Sequence, residues 1–170
     1  MLYNFIETSV VGLPLWLNLG SILSTYYNRD INYISRIYSN IHAFINILSS
    51  VLYLLGSISR DSYICLLGFT FSYVIFDLRY LIFSKDYPLI MHHVIIIIAL
   101  TPLFNNERLE DYYINVIAKL FLSEMSTIFL NNSWMMIKDK NTETNGFLIN
   151  VYLTLINFFI FRIINISLIV

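Results

Sequence analysis

The sequence predicts an all-α fold: a polytopic membrane helix bundle of about six transmembrane helices. Three observations lead there. The 170-residue chain is 58% hydrophobic and only 12% charged, with a mean hydropathy of +0.69, more apolar surface than a soluble fold of this size can cover. Its apolar residues run in stretches of roughly 20, the length that crosses a hydrocarbon core at about 1.5 Å rise per residue. These runs are continuous, without the alternation of a membrane β-barrel, and charged or turn-forming residues collect in the breaks between them.

The first span is expected at 5–27. It carries Glu7 and no basic leader region, so it reads as a retained helix rather than a cleaved peptide. Asn28-Arg29-Asp30 close it. The second span, 39–58, ends at Ser59-Arg60-Asp61, and the third, 62–83, at Ser84-Lys85-Asp86 before Pro88. The fourth, 88–104, is short and interrupted by Thr101-Pro102. Residues Asn105 to Asp111 separate it from the fifth, 113–137, and Lys138 to Gly146 lead into the sixth, 147–170. Numbering the loops alternately puts Arg29, Arg36, Lys85, Lys138 and Lys140 on one side, against Arg60 and Arg108 on the other. The positive-inside rule assigns the first side to the cytoplasm and the N-terminus to the lumen or exterior.

Composition also excludes functions. A net charge of −1 with no basic tract lacks the electrostatic footprint of a nucleic-acid binder. With Cys65 as the sole cysteine, neither an intramolecular disulfide nor a thiolate zinc cluster can form. Three histidines are too few for the di-iron sites of membrane desaturases, so no metal ligands are assigned. A His-Glu-x-x-His motif, a phosphate-binding glycine loop and a Gly-x-Ser-x-Gly elbow are absent from the sequence.

Polar groups inside apolar runs are expensive, and therefore mark a candidate site. Adjacent His92 and His93 enter the fourth span, and Asp77 lies in the third. Counting from the cytoplasmic helix ends places Asp77 about 9 Å deep and His92 about 6 Å deep. His42, Asn131 and Asn132 fall near the same level from the second and fifth spans, giving a layer of polar side chains. Successive helix residues point about 100° apart, so one histidine is expected to line the site and the other to pack against a neighbouring helix. A carboxylate beside an imidazole fixes its tautomer and stabilises the imidazolium, the arrangement of a general base or of a histidine that accepts an acyl group. The structural alternative is that Asp77 neutralises Arg79 while the histidines bond backbone or headgroups. A deeper set places Glu124, Thr127 and Asn131 on one face of the fifth helix, with Arg162 of the sixth near the level of Glu124. An ion pair between Glu124 and Arg162 is expected as a helix-packing clamp, with Asn150, Thr154 and Asn157 adding interhelical hydrogen bonds. Lys119 points elsewhere and is expected to snorkel toward the luminal surface.

Five segments, in order, carry a family resemblance: Arg36-x-x-Ser39-x-x-His42-Ala43, FSYVIFDLRYL (71–81), MHHVIIIIAL (91–100), FLSEMSTIFLN (121–131) and FFIFRII (158–164). Over roughly residues 35–165 the chain resembles TLC domains, a family grouping ceramide synthases with translocation-associated membrane proteins and smaller lipid-related proteins. The Asp77-to-histidine-pair and Glu-x-Ser segments are its specific parts. The resemblance implies an N-terminal helix and loop at 1–34 and a TLC-like domain at 35–170, lacking the family's last helix. His92 and His93 match the pair on which acyl transfer depends in ceramide synthases, and Asp77 the accompanying acidic residue. Glu124, Ser126 and Arg162 match positions shared more widely, with His42 and Asn131 lining the site or clamping helices. The implied activity is N-acyl transfer in sphingolipid metabolism, with acyl-CoA as co-substrate, no bound cofactor, and membrane lipids and a homo- or hetero-oligomer as partners. The implied location is the endoplasmic reticulum or a related membrane. This chain departs from ceramide synthases in being shorter and lacking their additional acidic residues, which leaves open a non-catalytic protein that binds lipid or tunes membrane composition or trafficking.

Overall fold

The computed structural model describes residues 2–27, 31–105 and 111–169. Every regular element among them is helical, and six helical spans are long and apolar enough to cross a membrane. They comprise α1 (Leu2–Tyr27), α2 (Ile31–Leu54), α3 (Arg60–Ser84), α4 (Tyr87–Leu100) with the short α5 (Pro102–Asn105), α6 (Asp111–Phe121) with α7 (Met125–Lys138), and α8 (Asn145–Asn157) with α9 (Asn165–Ser167). The charged breaks at Asn28-Arg29-Asp30 and 106–110 lie outside the described residues.

Local chemistry sets the ends. Ser59 caps α3 by accepting from the Ser62 amide at 3.2 Å, and Thr144 caps α8 by accepting from Phe147 at 3.2 Å. Lys85 adopts a left-handed conformation with φ of 58° at the end of α3. Asp86 then caps α4, whose first turn holds Pro88.

The second helix differs from the expectation: it begins at Ile31 rather than near residue 39. Asn32, Ser35, Arg36, Ser39 and Asn40 made its first turns look like a loop. Three of them, Ser35, Arg36 and Ser39, instead line an internal polar cavity, and Asn40 bonds α7.

α1 packs closely against α3. A Cβ on Gly68 would stand 2.5 Å from the Phe5 carbonyl oxygen, and one on Gly12 would meet the Ser72 side chain, so glycine is what permits this approach. Two buried clusters fill the bundle. One, around Phe5, Tyr63, Leu67, Leu100 and Ile117, lies toward the end where Arg60 pairs with Asp111 at 2.9 Å. The other, around Trp16, Tyr38, Tyr73 and Phe76, lies toward the Lys85 end. Large apolar side chains such as Val10, Ile95, Ile98 and Leu155 cover the outside, as lipid requires. The last helical span is the least buried. Asn150 ties it to α7 by donating to Phe129 O at 2.8 Å and Ser133 Oγ at 2.7 Å. Thr154 and Asn157, expected to bond across helices, instead donate to their own helix, at Asn150 O and Leu153 O.

Candidate functional site

A polar cavity of about 220 Å³ opens between α2, α3, α4 and α7. Asp77 and Tyr73 line it from α3, four residues and hence about one turn apart on one face. Asp77 is buried; its Oδ1 accepts from Ser35 Oγ at 3.1 Å, and its Oδ2 lies 3.1 Å from His93 Nε2. Arg79 turns outward onto Tyr80 at 3.0 Å, which removes the reading in which it neutralises Asp77.

His93 Nδ1 lies 3.1 Å from the Leu89 carbonyl. A carbonyl oxygen only accepts, so a proton sits on Nδ1, and Nε2 is the ring nitrogen left to exchange one. That nitrogen has no aligned hydrogen bond, although the Asp77 carboxylate is beside it. A proton gained at Nε2 would face the Asp77 carboxylate, which supplies the counter-charge for an imidazolium.

The expectation that one histidine alone lines the site does not hold for His92 and His93. His92 also lines the cavity, with its Nε2 3.5 Å from Oε1 of the buried Glu124. The two histidines thus face separate carboxylates, and Glu124, expected deeper, stands at the level of His92. The reason is an overshoot by α7. Arg36 donates to Asn131 Oδ1 at 3.1 Å and lies 3.8 Å from Asp86, so the α3–α4 connection stands near Asn131 rather than near Lys138 at the helix end. His92 is then about 9 Å above Asp86, and Glu124 about 10 Å above Asn131. Glu124 itself sits in a 3₁₀ turn, Leu122–Glu124, that joins α6 to α7.

The expected Glu124–Arg162 ion pair does not form. Arg162 Nε donates to Ser126 Oγ at 2.8 Å, and its Nη2 to Thr127 Oγ1 at 3.2 Å. A buried glutamate already facing His92 removes the need for that pair. Arg162 stands on a π-helical segment, Phe158–Ile164, between α8 and α9.

His42 supports the wall from behind. Its ring stacks on Tyr73 with centroids 3.8 Å apart, and its Nε2 accepts from the Asn46 amide at 3.0 Å. Thr70 donates to the same Asn46 side chain. Asn131 completes a lattice with α2, donating to Asn40 Oδ1 at 3.0 Å, while Asn40 donates to Asn132 at 2.9 Å. Lys119 is exposed on α6, and its carbonyl accepts from Asn165 at 2.7 Å.

Two more cavities adjoin the first. An apolar one of about 220 Å³ lies between α4, α6 and the last span, sharing His92, Ile96, Glu124 and Arg162 with the polar cavity. An outer cleft of about 220 Å³ shares Ser35, Arg36 and Leu89 and runs toward Ser84, Asp86 and Trp134 at the Lys85 end. The site therefore has a polar approach and an apolar one, meeting at His92 and Glu124.

The sequence model described as the TLC domain matches residues 32–170. The chain belongs to the TLC-domain family. No curated protein and no solved structure matches it significantly. It is thus a multi-pass membrane protein of the TLC-domain family, with α1 packed beside the matched region.

Sequence reasoning quoted Ser39 in a family segment without giving it a place in this site, and it did not single out Ser35 or Tyr73. Their signal was present. Ser35, Ser39 and His42 recur at helical spacing, and Tyr73 precedes Asp77 by one turn. Reading α2 as starting at Ile31 would have exposed the pattern.

Proposed function

We propose that this TLC-domain protein acts on lipid by acyl transfer at the His93–Asp77 and His92–Glu124 pairs. The observation that carries the reading is the meeting of a polar cavity holding both pairs with an apolar cavity at His92 and Glu124. A single-chain amphiphile fits that division. Its reacting end lies among the carboxylates and imidazoles, and its hydrocarbon among Ile95, Ala99 and Ile117.

In the reaction proposed, a sphingoid-like amine attacks the carbonyl carbon of an acyl-CoA thioester. His93 Nε2 takes the proton lost by the amine, and Asp77 stabilises the resulting imidazolium. The C–N bond forms, the C–S bond breaks, and the thiolate leaves with a proton returned by the imidazolium. Atoms and charges balance without a metal or redox partner. The endoplasmic reticulum, where such lipids are assembled, is the location this reading implies, and membrane lipids are the partners.

Lipid profiling tests it. Membranes containing the intact chain or His92→Ala/His93→Ala, matched for protein amount, are supplied with labelled sphingoid base and fatty acyl-CoA. A labelled N-acyl product made by the intact chain and lost in the variant is the expected result. Identical profiles from equally inserted proteins overturn the reading in favour of a lipid-binding protein without transferase activity.

A further inference from the structure

Arg162 is not used by the proton transfer described above, yet it forms part of the wall of both the polar and the apolar cavity. Its guanidinium is gripped along one edge by Ser126 Oγ and Thr127 Oγ1, with Phe158 5.4 Å away. A guanidinium has five N–H donors in a rigid plane. Those beyond the two hydroxyl contacts have no protein acceptor among the described residues. Glu124 lies outside ion-pair distance and faces His92. A cation held in a membrane helix with only hydroxyls as ligands calls for an anionic or strongly accepting group.

The backbone supports a binding role. Arg162 lies within the π-helical segment Phe158–Ile164, and such wide turns are rare and frequently found at functional sites. The space beside it is lined by Ile95, Ala99, Leu100, Ile117 and Phe121, which suits one hydrocarbon chain.

We infer that Arg162 is the receptor for the carboxyl end of a fatty acyl chain. Its free donors bond the carboxylate oxygens of a fatty acid, or the carbonyl oxygen of an activated acyl group, while the alkyl chain lies in the apolar cavity. Ser126 and Thr127 fix the plane of the guanidinium. This places the acyl carbon at the border of the polar cavity, beside His92. The inference rests on the lipid-handling part of the proposed function, and concerns binding rather than turnover.

The test is equilibrium binding of palmitic acid and of hexadecanol, equal in chain length, to the full chain in nanodiscs, corrected with protein-free nanodiscs. The intact chain is expected to prefer the acid by about tenfold or more, the scale of a lost charge-assisted hydrogen bond. Arg162→Gln should abolish that preference while leaving hexadecanol binding within about twofold. Arg162→Lys, which keeps the charge but loses the planar fork, should retain part of it and carries the decision if Arg162→Gln does not insert. Ala99→Phe, which fills the apolar cavity, should weaken both ligands. Equal binding of acid and alcohol by the intact chain, or an undiminished preference in the Arg162 variants, overturns the inference. So does displacement of palmitic acid by phosphatidic acid at lower concentration than by palmitic acid itself, which would assign the guanidinium to phosphate. Arg162-dependent acid binding without any N-acyl product would instead defeat only the transferase reading, and transfer without acid preference only this one.

Discussion

Glu124 Oε1 stands 3.5 Å from His92 Nε2, although helix ends counted from the sequence put the two residues at different depths. The contact exists because α7 extends beyond the α3–α4 connection, which Arg36 holds near Asn131. Two carboxylates and the histidine pair, Asp77, Glu124, His92 and His93, thereby line one cavity.

Asp77→Asn removes the counter-charge beside His93 while keeping an acceptor for Ser35. On the proposed mechanism the imidazolium loses its partner. The rate of labelled N-acyl product formation should fall by about 10²-fold or more, the scale of general-base catalysis. Insertion and helix content, followed by circular dichroism, should not change. An Asp77→Asn variant as fast as the intact chain removes Asp77 from the proton transfer.

Much of the fold was legible because lipid imposes a crude rule: about 20 apolar residues, then a polar break. Asp77 and the histidine pair were legible for the same reason, as polar groups where none come free. What the sequence hid was vertical register. Counting inward from helix ends treats all helices as flush, and nothing in the fifth span announces that α7 overshoots. The start of α2 was hidden because its polar residues, the cavity-lining Ser35 and Ser39 and the α7-bonding Asn40, resemble a loop. Arg162 was given a carboxylate partner by depth alone, whereas its ligands are the Ser126 and Thr127 hydroxyls of α7.

Gly68 permits the close approach of α1 to α3. A valine there meets the Phe5 backbone carbonyl, which cannot turn aside as a side chain could. Gly68→Val should destabilise the folded bundle by about 1–3 kcal/mol, the usual cost of overpacking. Thermal unfolding in detergent measures it. Gly146→Ala is the control: its nearest side-chain atoms are 3.8 Å from the added Cβ, so stability should stay within about 0.5 kcal/mol.

Asn40 joins α2 to α7 through both Asn131 and Asn132. Interhelical hydrogen bonds in membranes average about 0.6 kcal/mol each, so Asn40→Ala should cost on the order of 1 kcal/mol. The same assay in mild denaturant reads this. Since Arg36 also bonds Asn131, the double variant Asn40→Ala/Arg36→Ala should lose more than the sum of the singles, because Asn131 is then left without either α2 partner. Strict additivity would show that the three side chains do not act as one lattice.

Orientation follows from charge. Lys85 and Lys138 share one end of the bundle with Arg36, and Arg60 stands at the other with Asp111. The positive-inside rule puts the lysine-bearing end in the cytoplasm. Cys65 is the native thiol, so a Cys65→Ser background accepts single probes. Thr142→Cys, exposed in the turn before α8, and Ser57→Cys, exposed before α3, lie on opposite sides. In sealed microsomes with the cytosolic face outward, an impermeant maleimide should label the Thr142→Cys variant directly and the Ser57→Cys variant only after detergent. The reverse pattern would invert the bundle and place the outer cleft lined by Arg36 and Asp86 on the luminal side. A cytosolic acyl-CoA could not then enter by the polar approach, and the proposed donor would have to change with it.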